Sequence, residues 1–442
     1  MKASDLFRRF TAALPAFCLA VLAGCSQPAD PPLPAPPADS PAVSQGPVEL
    51  TMWTYYPNGW DATIAGFRRH YPEIDIKVEV HPFAEYSQKY LAALADGTAP
   101  DILMVDSAHL GEFGAIEGVE NLLSPPYDAG RYQAGFSPAM WDSMLSLDGG
   151  RLIALPLATA PSLTYYRADL LKAYGFPDEP EALGTFMEDP ANWLAMGEEL
   201  LKHGSYITQW DNELIRFFEA STPLFDRNLN FQRSSAEFER ALDLAKEVNH
   251  RGLDANVDVW TEVGEKAVRS GRIAMMYLGT WGADQIQAWA PELEGKWRAA
   301  RLPFGLYGFE NSSSFLLPSQ GRHKAEAWKF IEHSVTVASK DGMGGSIPAY
   351  LPARGNPVEL ERVNAYLGGQ RTYALFEELA GRMKERTVTP LDKKAQAIWS
   401  QAIVKGVEAD QDSKALLEEV RKEIEKRLGR DKEILLEWKN KQ

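Results

Sequence analysis

The chain has 442 residues, with 61 Asp and Glu against 46 Lys and Arg and a formal net charge of −15. That acidity repels phosphate backbones and argues against nucleic acid as a partner; an anionic ligand would need a local basic site. The two cysteines, Cys18 and Cys25, are too few for a disulfide framework, and a chain of this length can stabilise itself by burying apolar surface.

At the N-terminus, Arg8 and Arg9 precede FTAALPAFCLAVLAG. A basic flank, a short apolar run and small residues are the layout of a secretory signal peptide. The run is too short to span a bilayer, which takes roughly 20 residues. Leu22-Ala23-Gly24-Cys25 resembles the lipobox of bacterial lipoproteins. That resemblance implies cleavage before Cys25, acylation of Cys25 and a leader of residues 1–24. Each buried CH₂ of such an anchor adds about 0.8 kcal/mol. The alternative is an incidental cysteine beside a cleaved signal. Residues 28–47 hold eight prolines and almost no large apolar side chain. They cannot bury enough surface to fold and favour extended polyproline II, so 25–47 read as a semi-rigid tether.

The body starts near Val48 and is too long for one compact core, which predicts two lobes. VELTMW (48–53) predicts a strand. The spacing of Ile64, Phe67 and Tyr71 predicts a helix, and strict alternation in IDIKVEV (74–80) a half-exposed strand. Tyr86, Tyr90 and Leu94 align on a second helix stopped by Gly97, and DILMV (101–105) is a continuous apolar run suited to a buried parallel strand. Two successive β-α-β units predict a doubly wound α/β lobe. Further on, SAEFERALDLAKEVNHRG predicts a helix capped by Ser235 and ended by Gly252. GRIAMMYLG (271–279) and NSSSFLL (311–317) predict strands. HKAEAWKFIEHSV predicts a helix with Ala327, Phe330, Ile331 and Val335 inward, and the C-terminal helix carries a stripe of Leu417, Val420, Ile424 and Leu428.

No CxxC, HExxH, phosphate loop or G-x-S-x-G elbow is present, and no pair of the seven histidines has metal-site spacing. No cofactor, metal or enzymatic activity is therefore expected. Carboxylates are numerous enough for a glycosidase pair, but no spacing singles one out.

LTMWTYYPNGW, GFRRHYPEIDIKVEV, GTAPDILMVDSAHLGEF, GGRLIALPLATAPSLTYYRADLLKAYGF, GRIAMMYLGTW and EAWKFIEHSV occur in an order that resembles the extracellular solute-binding proteins of carbohydrate ABC importers, the maltose-binding-protein-like family. The resemblance covers nearly all of 48–428. It departs from the family pattern at TFMEDPANWLAMGEEL, around residues 178–195. It implies an α/β fold of two lobes closing over a ligand by hinge bending. It also implies crossings near Leu157–Pro161, Arg301–Phe304 and Val335–Lys340, hence lobes of 48–157 with 304–335 and of 158–303 with 336–442. The implied protein is a monomeric, membrane-anchored, extracytoplasmic binder of a sugar or oligosaccharide, delivering it to a permease and its ATPase. The same fold would also serve a ligand sensor for a membrane receptor, or a non-sugar solute.

A sugar packs its C–H face on flat rings and pairs its hydroxyls with planar polar groups, and ligands of α/β lobes sit beyond the carboxyl ends of strands. These positions hold Tyr55, Tyr56, Asn58 and Trp60 after the first strand, Asp106 after DILMV, and Trp210 and Asp211 after SYITQ. Trp281 follows GRIAMMYLG, matching the family's stacking tryptophan, and Asn311 starts a strand near the expected hinge. Tyr350 and Trp399 match segments that border the cleft in relatives. Alternatively, Asp106 caps the next helix, Trp399 is helix core, and Tyr56, Trp60, Asn311 and Tyr350 are structural.

Overall fold

A computed structural model describes residues 46–441 except 58, 342, 344, 385 and 386. The expected leader, Cys25, the tether up to residue 45 and the candidate Asn58 lie outside the described residues. Nine strands are present among those described: β1 (Val48–Thr54), β2 (Ile74–Val80), β3 (Ile102–Asp106), β4 (Leu155–Pro161), β5 (Leu163–Arg167), β6 (Met275–Leu278), β7 (Trp297–Ala300), β8 (Phe309–Leu316) and β9 (Ile347–Pro348). They form two sheets, one of six strands in the order β2-β1-β3-β8-β4-β9 and one of three in the order β6-β5-β7.

β1 pairs in parallel with β2 and β3. Parallel neighbours need crossovers, supplied by α1 (Trp60–His70) and α2 (Tyr86–Asp96). α1 buries Trp60, Ile64 and Phe67 one turn apart. α2 buries Tyr86, Tyr90 and Leu94 and ends on Gly97, whose φ of 75° suits a residue without Cβ. β3 lies between β1 and β8 and is buried along its length, as the apolar run predicts. β8 runs antiparallel to both β3 and β4, so the sheet is mixed.

One core gathers apolar residues of 48–158 with 309–335 and Ala349 around the six-stranded sheet. Two others gather apolar residues of 147–302 with Ile347 and 366–428. The chain passes from β4 in the first sheet to β5 in the second with Ser162 alone between them, and returns from β7 to β8 over residues 301–308. β9 pairs with β4 in the first sheet. The fold is α/β and two-lobed, and the lobe on the six-stranded sheet is called the first.

The helices that shape the site and its surroundings are α3 (Ser107–Phe113), α4 (Ala236–Arg251), α5 (Glu262–Ser270), α6 (Gly282–Trp289), α7 (Lys324–Thr336), α8 (Thr372–Arg382) and α9 (Asp392–Glu408), with α10 (Ser413–Lys441) last. α7 buries Ala327, Phe330, Ile331 and Val335, and α10 buries Leu417, Val420, Ile424 and Leu428, so both predicted stripes face inward. α4 ends on Gly252 at φ 63°, but Ser235 makes no side-chain cap bond. Glu237 and Glu239 in the first turn complement the helix dipole there instead.

α3 of the first lobe meets the segment leading into α9. A Cβ on Gly111 would lie 2.2 Å from the Thr389 carbonyl oxygen, and Lys393 pairs with Glu112 at 3.0 Å. Glycine to alanine in a helix interior normally stabilises by about 1 kcal/mol. Here the clash falls on backbone that has no rotamer to change. Gly111→Ala is expected to destabilise by about 1–3 kcal/mol in urea unfolding. Gly381→Ala in α8, where nothing lies within 4 Å of the added carbon, should be neutral or stabilising.

Candidate ligand-binding site

The start of β8 is the centre of the site, because its successive side chains engage opposite lobes. Glu310 Oε2 accepts from Ser162 Oγ at 2.7 Å and Oε1 from the Arg216 guanidinium at 3.2 Å. The next residue, Asn311, donates from Nδ2 to Asp106 Oδ2 at 2.8 Å. Ser313 Oγ lies 2.6 Å from the Tyr55 hydroxyl.

Asp106 is 1% exposed. Its Oδ1 accepts from the Ala108 N–H at 2.8 Å, capping α3, and its Oδ2 accepts from Asn311 and, at 3.2 Å, from Tyr55. Burial pushes its pKa up, while the Ala108 N–H, Asn311 and Tyr55 oppose that shift. All this uses the carboxylate inside the first lobe, where it pins Asn311 and Tyr55. Of the two roles open to Asp106, the cap is the one these bonds describe.

Tyr56 is half-buried. Its N–H donates to Thr54 Oγ1 at 3.0 Å and its carbonyl accepts from Trp60 Nε1 at 2.9 Å. Burial raises the Tyr56 phenol, and the negative charge of Asp284 on α6 raises it further. The Asp284 charge of the second lobe thus reaches this phenol of the first. Trp60 itself is buried, with its ring tilted 6.0 Å from Phe315; it holds Tyr56 and offers no free face.

In the second lobe, Trp281 is partly exposed just before α6. A Cβ on Gly279 would lie 2.5 Å from Trp281 Nε1 and 3.2 Å from Glu310 Cγ, so the indole occupies space that only glycine leaves beside Glu310. Trp260 packs 5.8 Å from Trp281, tilted 43°, and edge-on to Trp289 at 5.0 Å. It is 55% exposed, and Trp210 is 39% exposed. Gln209 ties the Trp210 and Trp260 loops together: its carbonyl accepts from Val257 N–H and its Oε1 from Val259 N–H at 3.1 Å. Glu213, buried and accepting from Gln209 N–H and Nε2 at 2.7 Å each, fixes Gln209; burial pushes its carboxyl up. Asp211 accepts from Asn249 of α4 at 2.8 Å, which holds it toward the helix.

The other two candidates lie apart. Tyr350 packs against the first lobe, where a Cβ on Gly135 would fall 2.1 Å from its ring and Phe136 lies 5.4 Å away. Trp399 is fully buried, and its Nε1 donates to Glu219 Oε1 at 2.6 Å. The cleft role expected for Trp399 is corrected by this burial, since the ring has no solvent-reachable face.

Sequence reasoning misses Trp260, Arg216, Asp284 and Glu310. Trp260 stands in a loop two residues before α5, not after a strand, so the strand-end rule skips it. Glu310 adjoins the candidate Asn311 in the chain, and β8 places both at the junction of the lobes. Flat faces near carboxylates, an amide and a guanidinium suit a hydroxyl-rich solute, whose C–H faces stack while its hydroxyls pair with charged groups.

Residues 53–340 match the family model of the bacterial extracellular solute-binding protein, and the chain belongs to that family. Among solved structures it is similar to an extracellular solute-binding protein of family 1, with TM-score 0.72, 21% identity, and 86% of this chain and 99% of that one covered. It is also similar to the galacto-N-biose-/lacto-N-biose I-binding protein of the ABC transporter from Bifidobacterium longum, in complex with lacto-N-biose (TM-score 0.71, 16% identity, 87% and 99% covered). A third is the sugar-binding protein MalE from the phytopathogen Xanthomonas citri (TM-score 0.68, 21% identity, 87% and 98% covered).

Proposed function

We propose that the protein captures a sugar or oligosaccharide between its lobes and delivers it to an ABC importer, tethered to a membrane through a lipid on Cys25. The observation that carries this reading is the half-exposed Trp281, with Trp260 beside it and Glu310 next to its indole. The lacto-N-biose held by one structural neighbour favours the same ligand class. Of the sequence candidates, Trp281, Trp210, Asp211, Tyr56 and Asn311 are retained as ligand-contacting or as holding such contacts, and Asp106, Trp60 and Tyr350 as their supports.

Capture requires the lobes to move. We place the hinge at the short connections around 157–162, 301–309 and 335–349, in keeping with the single residue that separates β4 from β5. Contacts from both lobes favour the closed state because only that state makes both sets. A micromolar site supplies about 8 kcal/mol, ample to bias closure. Capture and release need no bond-making, so the reading is of a binding protein and not an enzyme.

The test is calorimetry of the leader-free body, residues 46–442, against glucose, galactose, maltose, lactose and longer saccharides, with small-angle scattering to follow the radius of gyration. A saccharide that binds with micromolar affinity and contracts the molecule is the expected result. Heat from a polyamine or an amino acid alone would reassign the ligand class. Labelled fatty acid incorporated by the full chain, and lost in Cys25→Ser, tests the anchor.

A further inference from the structure

A cavity of about 340 Å³ lies between α6 and the stretch 362–376 that includes the start of α8. Thr280, Asp284, Gln287, Glu294, Arg362 and Tyr373 are among the residues that line it. Its volume is at the low end of small-molecule sites, roughly 300–1,000 Å³.

Three features mark it as more than a packing gap. Thr280 is 1% exposed, and its hydroxyl has no hydrogen-bond partner among the described residues. A buried hydroxyl left unpaired is costly, and it persists where it has a use. Asp284, on the first turn of α6, accepts no hydrogen bond from the described residues, yet its charge is felt by Tyr56 across the lobe junction. Finally, the position of a Cβ on Gly345, another lining residue, is 3.4 Å from Asp284 Oδ2, the Thr280 carbonyl and Trp281 Cα alike. The cavity thus adjoins the backbone of the stacking tryptophan, with Asp284 at the edge that the two spaces share.

We propose that this cavity is a second subsite, taking a hydroxyl-rich unit next to the one stacked on Trp281, with Asp284 and Thr280 as its hydrogen-bond partners, so that the ligand is an oligosaccharide. The proposal rests on the sugar-binding reading of the site. Asp284 supplies an acceptor, Thr280 both a donor and an acceptor, and Gln287 an amide that does both. Asp284 and Glu294 bring two carboxylates to the lining against the one Arg362 guanidinium, which Glu359 engages at 2.6 Å, and this balance favours a neutral polyol over an anion.

The experiment compares the wild-type body with Thr280→Val and Asp284→Asn by calorimetry against glucose, galactose, maltose, maltotriose and raffinose. Thr280→Val is nearly isosteric and has no hydrogen bond to lose, and Asp284 is exposed, so both variants should melt like the wild type. The expected result is at least a ten-fold loss of affinity for the longer saccharides in each variant, with any monosaccharide binding unchanged in Thr280→Val. Oligosaccharide binding left intact in both variants would overturn this subsite while the sugar reading stands. Monosaccharides binding as tightly as their oligomers would do the same. A wild-type body that binds none of the panel overturns the sugar reading, and the subsite with it.

Discussion

Trp399→Ala is expected to cost about 3–5 kcal/mol of stability and to leave ligand affinity unchanged at temperatures where the variant is folded. The ring is fully buried, edge-on to Phe238 at 5.5 Å and tilted to Phe231 at 5.9 Å, with the Arg233 guanidinium 5.5 Å from its centre. Truncation would leave a cavity among groups that cannot collapse into it, and would remove the donor that Glu219 accepts from. Trp399→Phe should cost less, about 1–3 kcal/mol, chiefly through that hydrogen bond. Urea unfolding of the body gives the midpoints, and calorimetry with whichever saccharide binds gives the affinity. A Trp399→Ala protein as stable as the wild type but unable to bind would restore a cleft role for this residue.

Trp281→Ala should behave in the opposite way. The indole is partly solvated before ligand arrives, so its loss removes little core. Its contribution falls on the complex: ring area covered at about 25 cal/mol per Å², and a stacking gain of about 0.5–1.5 kcal/mol beyond that. Together these amount to about 2–3 kcal/mol, or roughly a 30- to 150-fold weaker complex. Trp281→Phe should recover part of it, since a smaller flat face remains. Near-wild-type affinity in Trp281→Ala would remove the observation on which the proposed function stands. The two tryptophans make a matched pair, one failing the fold and the other failing the ligand.

The contrast between them shows what local sequence can say. Both sit in apolar surroundings in the chain, Trp281 after GRIAMMYLG and Trp399 within KKAQAIWSQAIVKG. Hydrophobic spacing reports that a side chain wants partners, but it does not report whether those partners are protein or ligand. Asp106 is a similar case. An aspartate after a strand is equally suited to a cap or to a ligand, and only the positions of Ala108, Asn311 and Tyr55 around it show how its lone pairs are used.

By itself the sequence determined the elements and their alternation. β3 as a buried run, α2 with Tyr86, Tyr90 and Leu94 inward, and the stripes of α7 and α10 follow from period and turn residues, which are local properties. It also pointed to the family, through the order of several short motifs along the chain. The tertiary structure decided which strand ends face one another: that Glu310 and Asn311 reach opposite lobes, that the Asp284 charge of α6 reaches Tyr56, and that Thr280 lies against a cavity. Most of these contacts join residues far apart in the chain, fixed by how two sheets and their connections pack, and no window along the chain contains them.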